Sequence, residues 1–277
     1  MSRQGYFPRL LILEILVILA ALVFLSPFYF VFVNSVKPFG EILKNAAAWP
    51  QDFTLENYGR AWQEVKFPVV FMNSVFVTAF SITGMVILGS MTAWRMVRRP
   101  HAVSRLIFIL FVAAMVIPFQ SVMIPMVKVA KVLGLINTRP GVIVIYLGFG
   151  MPLTVFLLHG FAKGVPRELE ESAYIDGCNT MQSFIHVVLP MLRIMIVTVI
   201  ILQTLWIWND FLLPAITLFS SRLHTIPLGI FRFFGQHMDR WDLALATLSM
   251  GMFPIVVMFL FLQKYVIQGV TAGSVKG

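Results

Sequence analysis

Six long stretches of the chain are almost free of charged side chains, and each is long enough to cross a lipid bilayer. They cover residues 10–33, 67–94, 106–127, 140–162, 194–221 and 243–263. A helix needs roughly 20 apolar residues to cross the hydrocarbon core, and these stretches lack the short alternating pattern of transmembrane β-strands. The sequence therefore predicts an all-α integral membrane protein with six transmembrane helices.

The composition excludes an ordinary soluble enzyme. Hydrophobic residues make up 59% of the chain and charged residues 12%, against about 45–50% and about 25% in soluble domains. The formal net charge of +9 fits basic loops at lipid headgroups, so we expect membrane lipid as a partner and no nucleic acid. The single cysteine, Cys178, and five scattered histidines predict no disulfide, no metal site and no catalytic site.

The basic residues suggest how the chain is oriented. The stretch 10–33 is longer than the apolar region of a signal peptide, so we expect it to stay as an anchor. Six spans place both termini on one side, and the short loop carrying Arg95, Arg98, Arg99 and Arg105 places that side in the cytoplasm. The segments 34–66 and 222–242 then lie outside and are long enough to contact a soluble partner.

The inner loop 163–193 has the pattern of two short helices joined by an elbow. Pro166 suits a helix start, and Gly177 suits the left-handed position that ends it. Asn179 and Gln182 have the spacing of a capping box for a second helix, which must end or kink near Pro190. From this pattern alone, a functional loop and an amphipathic hairpin that only anchors the neighbouring spans are equally expected.

The same loop carries a longer motif. Its residues read Glu-Ser-Ala, three residues, Gly, nine residues, Val, one residue, Leu-Pro, from position 171 to position 190. This closely resembles the E-A-A, x3, G, x9, I-x-L-P signature of permease subunits of binding-protein-dependent ABC importers. The segments 67–264, 125–138, 208–214 and 269–277 resemble the carbohydrate-uptake subclass of that family, in particular the second, maltose-type permease. Ser172 and Val187 are small departures from the signature.

The resemblance implies a role for this loop. In that family it forms a coupling helix that sits in a cleft of a cytoplasmic ATPase subunit. The positions that match the signature or lie within it are the expected ATPase-coupling residues: Glu171, Ser172, Ala173, Asp176, Gly177, Val187, Leu189 and Pro190. The chain has no phosphate-binding G-x-x-x-x-G-K-[ST] loop, so we expect it to bind no cofactor and a separate ATPase subunit to bind ATP and Mg²⁺.

The resemblance also implies an assembly and a division of the chain. The expected partners are a second, homologous permease, two copies of the ATPase and an extracytoplasmic sugar-binding protein. Residues 1–66 would form the first span and first outer segment, 67–264 the permease core with its coupling loop at 163–193, and 265–277 a cytoplasmic tail. The expected location is the inner membrane of a bacterial cell.

Four polar residues within or beside spans are candidates for the translocation path: Gln120, Gln203, Asn209 and Asp210. Sugars need hydroxyl-matched hydrogen bonds and aromatic faces, which such positions offer. For Asp210 an interfacial role beside Trp206 and Trp208 is the alternative. Gln120 lies between Pro118 and Pro125, where we expect a kinked, cavity-lining helix, with helix packing as the equal alternative.

The expected function is that of a non-catalytic permease subunit in an ATP-driven importer of a sugar or oligosaccharide. An importer of the same family for another solute, such as a glycerol phosphate or a polyamine, remains an alternative. A stand-alone secondary transporter is disfavoured because the only acids within spans, Glu14 and Asp210, lie near the ends of their spans.

Overall fold

The structure is a computed structural model that describes residues 6–234 and 240–274. The described residues contain helices and turns but no strand, which confirms the predicted all-α fold. In chain order the helices are α1 (Tyr6–Ser35), α2 (Phe39–Lys44), α3 (Glu56–Glu64), α4 (Phe67–Arg98), α5 (Ala102–Val116), α6 (Phe119–Val132), α7 (Arg139–Ala162), α8 (Arg167–Ile175), α9 (Thr180–Met191), α10 (Arg193–Asn209), α11 (Leu212–Thr217), α12 (Ile226–Phe231) and α13 (Trp241–Ser274).

The membrane-spanning helices fall into two groups. Four described helices, α1, α4, α7 and α13, are each long and apolar enough to span a bilayer. The pairs α5–α6 and α9–α10 reach that length only together, with bends of 110° and 73° at the breaks. The described chain therefore has six spans if each bent pair is counted as one.

The predicted span 106–127 is not one straight helix. The chain breaks between Val116 and Phe119, where Ile117 is extended (φ −78°, ψ 117°) and Pro118 precedes the first residue of α6. Proline lacks an amide hydrogen and disfavours helical geometry in the residue before it, which explains the sharp bend. Pro125, by contrast, lies within α6 without ending it.

The predicted span 194–221 is also interrupted. Helix α10 ends at Asn209, Asp210 is extended (φ −74°, ψ 123°), and the short helix α11 follows. The Asp210 carboxylate accepts hydrogen bonds from the amides of Leu212 at 2.9 Å and Leu213 at 3.4 Å. An aspartate that caps a following helix in this way competes with continuation of the preceding one.

The chain divides into two compact units, and the first consists of the described residues of Met1–Phe67 and Ile230–Phe253. In this unit residues 10–30 of α1 are all exposed. The segment after α1 is fixed by the buried Lys37, whose ammonium donates to the carbonyls of Asn45, Ala46 and Ala48. The segment that follows α1 is therefore folded rather than an open loop.

The same unit contains an ion pair in which Asp242 is buried and Arg240 is half-buried. The guanidinium of Arg240 contacts both oxygens of Asp242, with Nε–Oδ1 at 3.0 Å and Nη2–Oδ2 at 2.8 Å. The hydrogen bond to Asp242 raises the pKa of Arg240, so the guanidinium stays charged.

The second unit consists of the described residues of Pro68–Gly229 and Pro254–Gly277. Its core lies among α4, α7 and α10, with Val77, Met85, Val142, Tyr146 and Ile207 buried in one cluster. A neighbouring cluster joins the end of α7 to α9 through Ala162, Val165, Phe184, Val188 and Leu192. This packing ties the loop 163–193 to the spans on either side of it.

Candidate functional site

The loop between α7 and α10 has the predicted helix–elbow–helix form. Helix α8 follows Pro166, and the chain turns at Gly177, which has a φ of +88° that residues with a Cβ rarely adopt. Asn179 and Gln182 form both arms of a capping box at the start of α9, with distances of 2.9 and 2.8 Å. Local sequence therefore dictates most of the shape of this loop.

A π-helical turn in α9 was not predicted. It covers Phe184–Val188, where the amide of Leu189 bonds to the carbonyl of Phe184, five residues back. Pro190 cannot donate to the carbonyl of His186, and its ring would clash with that carbonyl in a regular helix. A wider turn before the proline relieves this conflict. The predicted kink near Pro190 is present, as the bend between α9 and α10.

Helix α8 has one buried and one exposed face. Glu170 and Ala173 are 5% and 8% exposed, whereas Glu171, Ser172, Asp176 and Gly177 are exposed. In α9, Val187 and Leu189 are half-buried and Pro190 is exposed. Of the predicted coupling residues, Ala173 therefore packs inward, and Glu171 presents its carboxylate to the surroundings.

Glu170 anchors this helix to the membrane-spanning part of the chain. Its Oε1 accepts from Nε of Arg98 at 2.6 Å, and its Oε2 accepts from the indole of Trp94 at 3.0 Å. Nη2 of Arg98 pairs with the same carboxylate and donates to the carbonyl of Val165 at 2.8 Å. Sequence analysis missed this role, although Trp94 and Arg98 are four residues apart on α4 and thus share a face.

A basic cavity of about 460 Å³ lies beside this anchor. It is lined by Arg95, Arg98, Arg99 and Arg167 together with Glu170, Glu171 and Tyr174. Because four guanidinium groups and only two carboxylates line it, the cavity is electropositive. The surface around α8 therefore offers a carboxylate, several cations and exposed apolar side chains, such as Ile175, to a partner.

Two of the four path candidates lie against one face of α7. Gln203 is 2% exposed, and its amide donates to the carbonyl of Gly150 at 3.0 Å and to the hydroxyl of Thr154 at 3.2 Å. Four residues before Gly150, the buried Tyr146 donates its hydroxyl to Oδ2 of the half-buried Asp210 at 2.9 Å. Helices α7 and α10 are therefore joined by polar contacts along one stripe.

The other two path candidates lie apart from this stripe. Asn209 is exposed, and its amide donates to the carbonyl of Leu205 on its own helix at 2.8 Å. Gln120 is exposed in the first turn of α6, and no hydrogen bond within the described chain joins it to the other three. The structure thus does not gather the four residues into one site.

The described residues offer few groups for metal binding or thiol chemistry. Among the described residues no group of three or more His, Cys, Asp or Glu side chains is placed to hold a metal ion. Cys178 is half-buried in the elbow of the loop 163–193 and is a free thiol. His237 and Asp239 in the segment 222–242 lie outside the described residues.

Long apolar helices, two bent helix pairs and a helix–elbow–helix loop between spans define the described chain as an integral membrane protein. The family model for the binding-protein-dependent transport system inner membrane component matches residues 85–272. The chain belongs to this family, and it is a multi-pass permease subunit of an ABC importer. The predicted resemblance is thereby confirmed.

Two curated relatives align over nearly the whole chain. A probable starch degradation products transport system permease, AmyC of Thermoanaerobacterium thermosulfurigenes, is 38% identical over 265 residues, covering 96% of each chain. The melibiose/raffinose/stachyose import permease MelC of Bacillus subtilis is 34% identical over 271 residues, covering 96% of this chain and 97% of its own.

The fold also matches a solved structure. One chain in the crystal structure of a bacterial ABC transporter that imports the acidic polysaccharide alginate superposes with a TM-score of 0.82 at 19% identity. The match covers 96% of this chain and 98% of that chain. It confirms the fold expected for an ABC importer permease.

Proposed function

We propose that this chain is the permease subunit of an ATP-driven importer whose solute is a sugar or oligosaccharide delivered by an extracytoplasmic binding protein. The observation that carries the solute class is the near full-length similarity to permeases named for starch degradation products and for melibiose, raffinose and stachyose. An importer of a glycerol phosphate or a polyamine is the alternative.

Energy coupling in this proposal runs through the loop 163–193. Exposed residues of α8 and the elbow, Glu171 and Ser172 above all, enter a cleft of a cytoplasmic ATPase subunit. The support for this role is mechanical: the buried Glu170 fixes α8 to α4 through Arg98 and Trp94. A push on α8 is then transmitted to a membrane-spanning helix rather than absorbed by a loose loop.

ATP and Mg²⁺ belong to the ATPase subunit in this scheme, because the sequence has no phosphate-binding loop. The permease itself is non-catalytic and moves between inward- and outward-open states. One chain with up to six spans forms half of the path, so a second, homologous permease and two ATPase copies complete the complex. The tail from Gly269 contributes to ATPase contact.

The proposed orientation places both termini and α8 in the cytoplasm of a bacterial cell. Its support is the arginine cluster from Arg95 to Arg105 at the end of α4 and the start of α5. The segments 34–66 and 222–242 then face the binding protein. Fixation of the first of these segments by Lys37 gives that protein a preformed surface.

Of the four path candidates, Gln203 and Asp210 are proposed as positioning residues. Gln203 uses its amide hydrogens within the helix pair, and Asp210 accepts from Tyr146 while it caps α11. Asn209 and Gln120 are the more accessible of the four, so they are the better candidates for solute contact.

Two measurements test this function together. The tagged chain is extracted from its native membrane in mild detergent, and mass spectrometry identifies the proteins that remain bound. An ATPase and a second permease are expected, and the associated binding protein is then titrated with sugars, glycerol phosphate and polyamines. Repeated isolation of a homo-oligomer without an ATPase would contradict the proposal. Tight binding of glycerol phosphate or a polyamine, without binding of a sugar, would contradict the proposed solute class.

A further inference from the structure

A second basic cavity lies at the same end of the helices as the coupling loop but shares no lining residue with the arginine cavity beside α8. It has a volume of about 260 Å³ and lies where α4 ends, α5 begins and α7 ends. Three membrane-spanning segments thus terminate around it. The cavity is therefore at the depth where lipid headgroups meet a membrane protein.

The charge of this cavity is all of one sign. Arg105 and Lys163 line it together with His101, His159 and the hydroxyl-bearing Ser104. No carboxylate is among its described lining residues, and neither Arg105 nor Lys163 forms an ion pair within the described part of the chain. Both side chains are exposed. The two cations are 58 positions apart in sequence, and helix packing places them in one cavity. Together they form a site for an anion.

An apolar surface continues from the cavity toward the membrane interior. Phe108 lines the cavity, where its ring lies 4.1 Å from that of His159, and it also stacks on Phe156 at 6.3 Å. Ile109 lies one helical turn beyond Arg105 on the same face of α5 and is 54% exposed. A small soluble anion has no apolar part that could cover this surface, whereas the acyl chain of a lipid does.

We propose that this cavity binds the headgroup of an anionic phospholipid. Its phosphate pairs with Arg105 and Lys163, and its acyl chains lie along Phe108 and the exposed face of α5. Basic pockets between helices at a membrane surface bind anionic headgroups in this manner. The site depends only on its depth in the membrane, so it does not rest on the importer assignment.

The test is lipid titration of the intact, delipidated complex, followed by native mass spectrometry. Phosphatidylglycerol and phosphatidylcholine with identical acyl chains are compared. We expect phosphatidylglycerol to bind more tightly, and the R105Q/K163Q variant to lose about tenfold or more of that affinity, since each basic residue near a membrane surface contributes roughly fivefold. The R105K/K163R variant should retain the affinity.

The matched control removes the same charge from the same end of the molecule. The R95Q/R99Q variant alters the neighbouring arginine cavity and should bind phosphatidylglycerol like the unmodified chain. Equal losses in the two Gln variants, equal affinities for the two lipids, or displacement of the lipid by equimolar inorganic phosphate would each overturn the proposal. Should the double variant fail to assemble, R105Q and K163Q alone are each expected to lose roughly fivefold.

Discussion

Arg98 on α4 donates from Nε to Oε1 of Glu170 on α8 at 2.6 Å, joining residues 72 positions apart in sequence. The side chains are 14% and 7% exposed, so the pair is largely removed from water. Trp94 donates to the other carboxylate oxygen and completes the contact. In the proposed mechanism this pair is the joint between the coupling helix and the first span of the permease core.

Loss of this joint should uncouple transport. Replacing Glu170 with Ala leaves Arg98 and Trp94 without their acceptor and should cost about 2–4 kcal/mol of stability. Glu170→Gln keeps one acceptor oxygen and should be milder. Uptake by cells and solute-stimulated ATP hydrolysis by the purified complex measure the effect, with Glu168→Gln on the exposed side of α8 as the control. Normal coupling in Glu170→Ala would remove the joint from the mechanism.

Reversal of charge at the exposed carboxylate should abolish transport without unfolding the chain. Glu171 is exposed at the edge of the arginine cavity, so Glu171→Lys reverses the charge that a partner contacts but breaks no hydrogen bond or ion pair in the described structure. We expect a normal amount of protein in the membrane, little uptake and weaker retention of the ATPase on purification. Wild-type uptake and retention in this variant would show that Glu171 does not contact the ATPase.

The elbow at Gly177 should tolerate no larger residue. Its φ of +88° lies in the region that favours glycine, so Gly177→Val should cost about 1–2 kcal/mol and alter the angle between α8 and α9. Gly160→Ala is a suitable control because a Cβ there meets nothing within 4 Å. Proteolysis of the loop and uptake report the change, and equal behaviour of the two variants would argue against a strained elbow.

The amino-acid sequence determines most of this loop locally but not the partners of its side chains. Gly177 and the pair Asn179 and Gln182 predict the elbow and the second helix correctly, because caps and positive φ depend on adjacent residues. Which of Glu170 and Glu171 is buried depends instead on how α8 is rotated against α4, so it is not visible in a single sequence.

The broken spans illustrate the same distinction. Apolar composition predicts the stretches 106–127 and 194–221 as membrane-spanning. It indicates one span for each, and it does not predict the breaks within them. Pro118 accounts for one break, and the two prolines of this span predict a kink from the sequence alone. The other break arises because the Asp210 side chain accepts a hydrogen bond from the amide of Leu212, in competition with the helical backbone. Hydropathy measures only apolar character, so it does not predict such a hydrogen bond.

Asp210 should tolerate Asn but not Ala. Asparagine still caps α11 and still offers Tyr146 a polar partner, so uptake should remain near normal. Alanine removes the cap and leaves the buried Tyr146 hydroxyl unpaired, and it should cost about 1–3 kcal/mol. Thermal unfolding in detergent and uptake are measured for both, with Tyr146→Phe as the matched variant. Loss of uptake in Asp210→Asn at normal protein levels would instead favour a role in the translocation path.

The start of α7 should be intolerant of a single methyl group. A Cβ on Gly141 would lie 1.8 Å from the carbonyl oxygen of Leu135, and this backbone atom cannot rotate away. Gly141→Ala should destabilise the chain by about 1–3 kcal/mol. Gly148→Ala on the same helix meets nothing within 4 Å and is the control. Equal unfolding temperatures for the two variants would contradict this packing.

The most direct test of the central claim, that α8 couples this permease to an ATPase, is cross-linking from position 172 in native membranes. Cys178 is first replaced by Ser, and Ser172→Cys then presents one reactive thiol on the exposed face of α8. A photoactivatable thiol reagent should yield an adduct that contains the ATPase subunit, identified by mass spectrometry. An otherwise active transporter that gives no such adduct, with capture of lipid or permease alone, would contradict the claim.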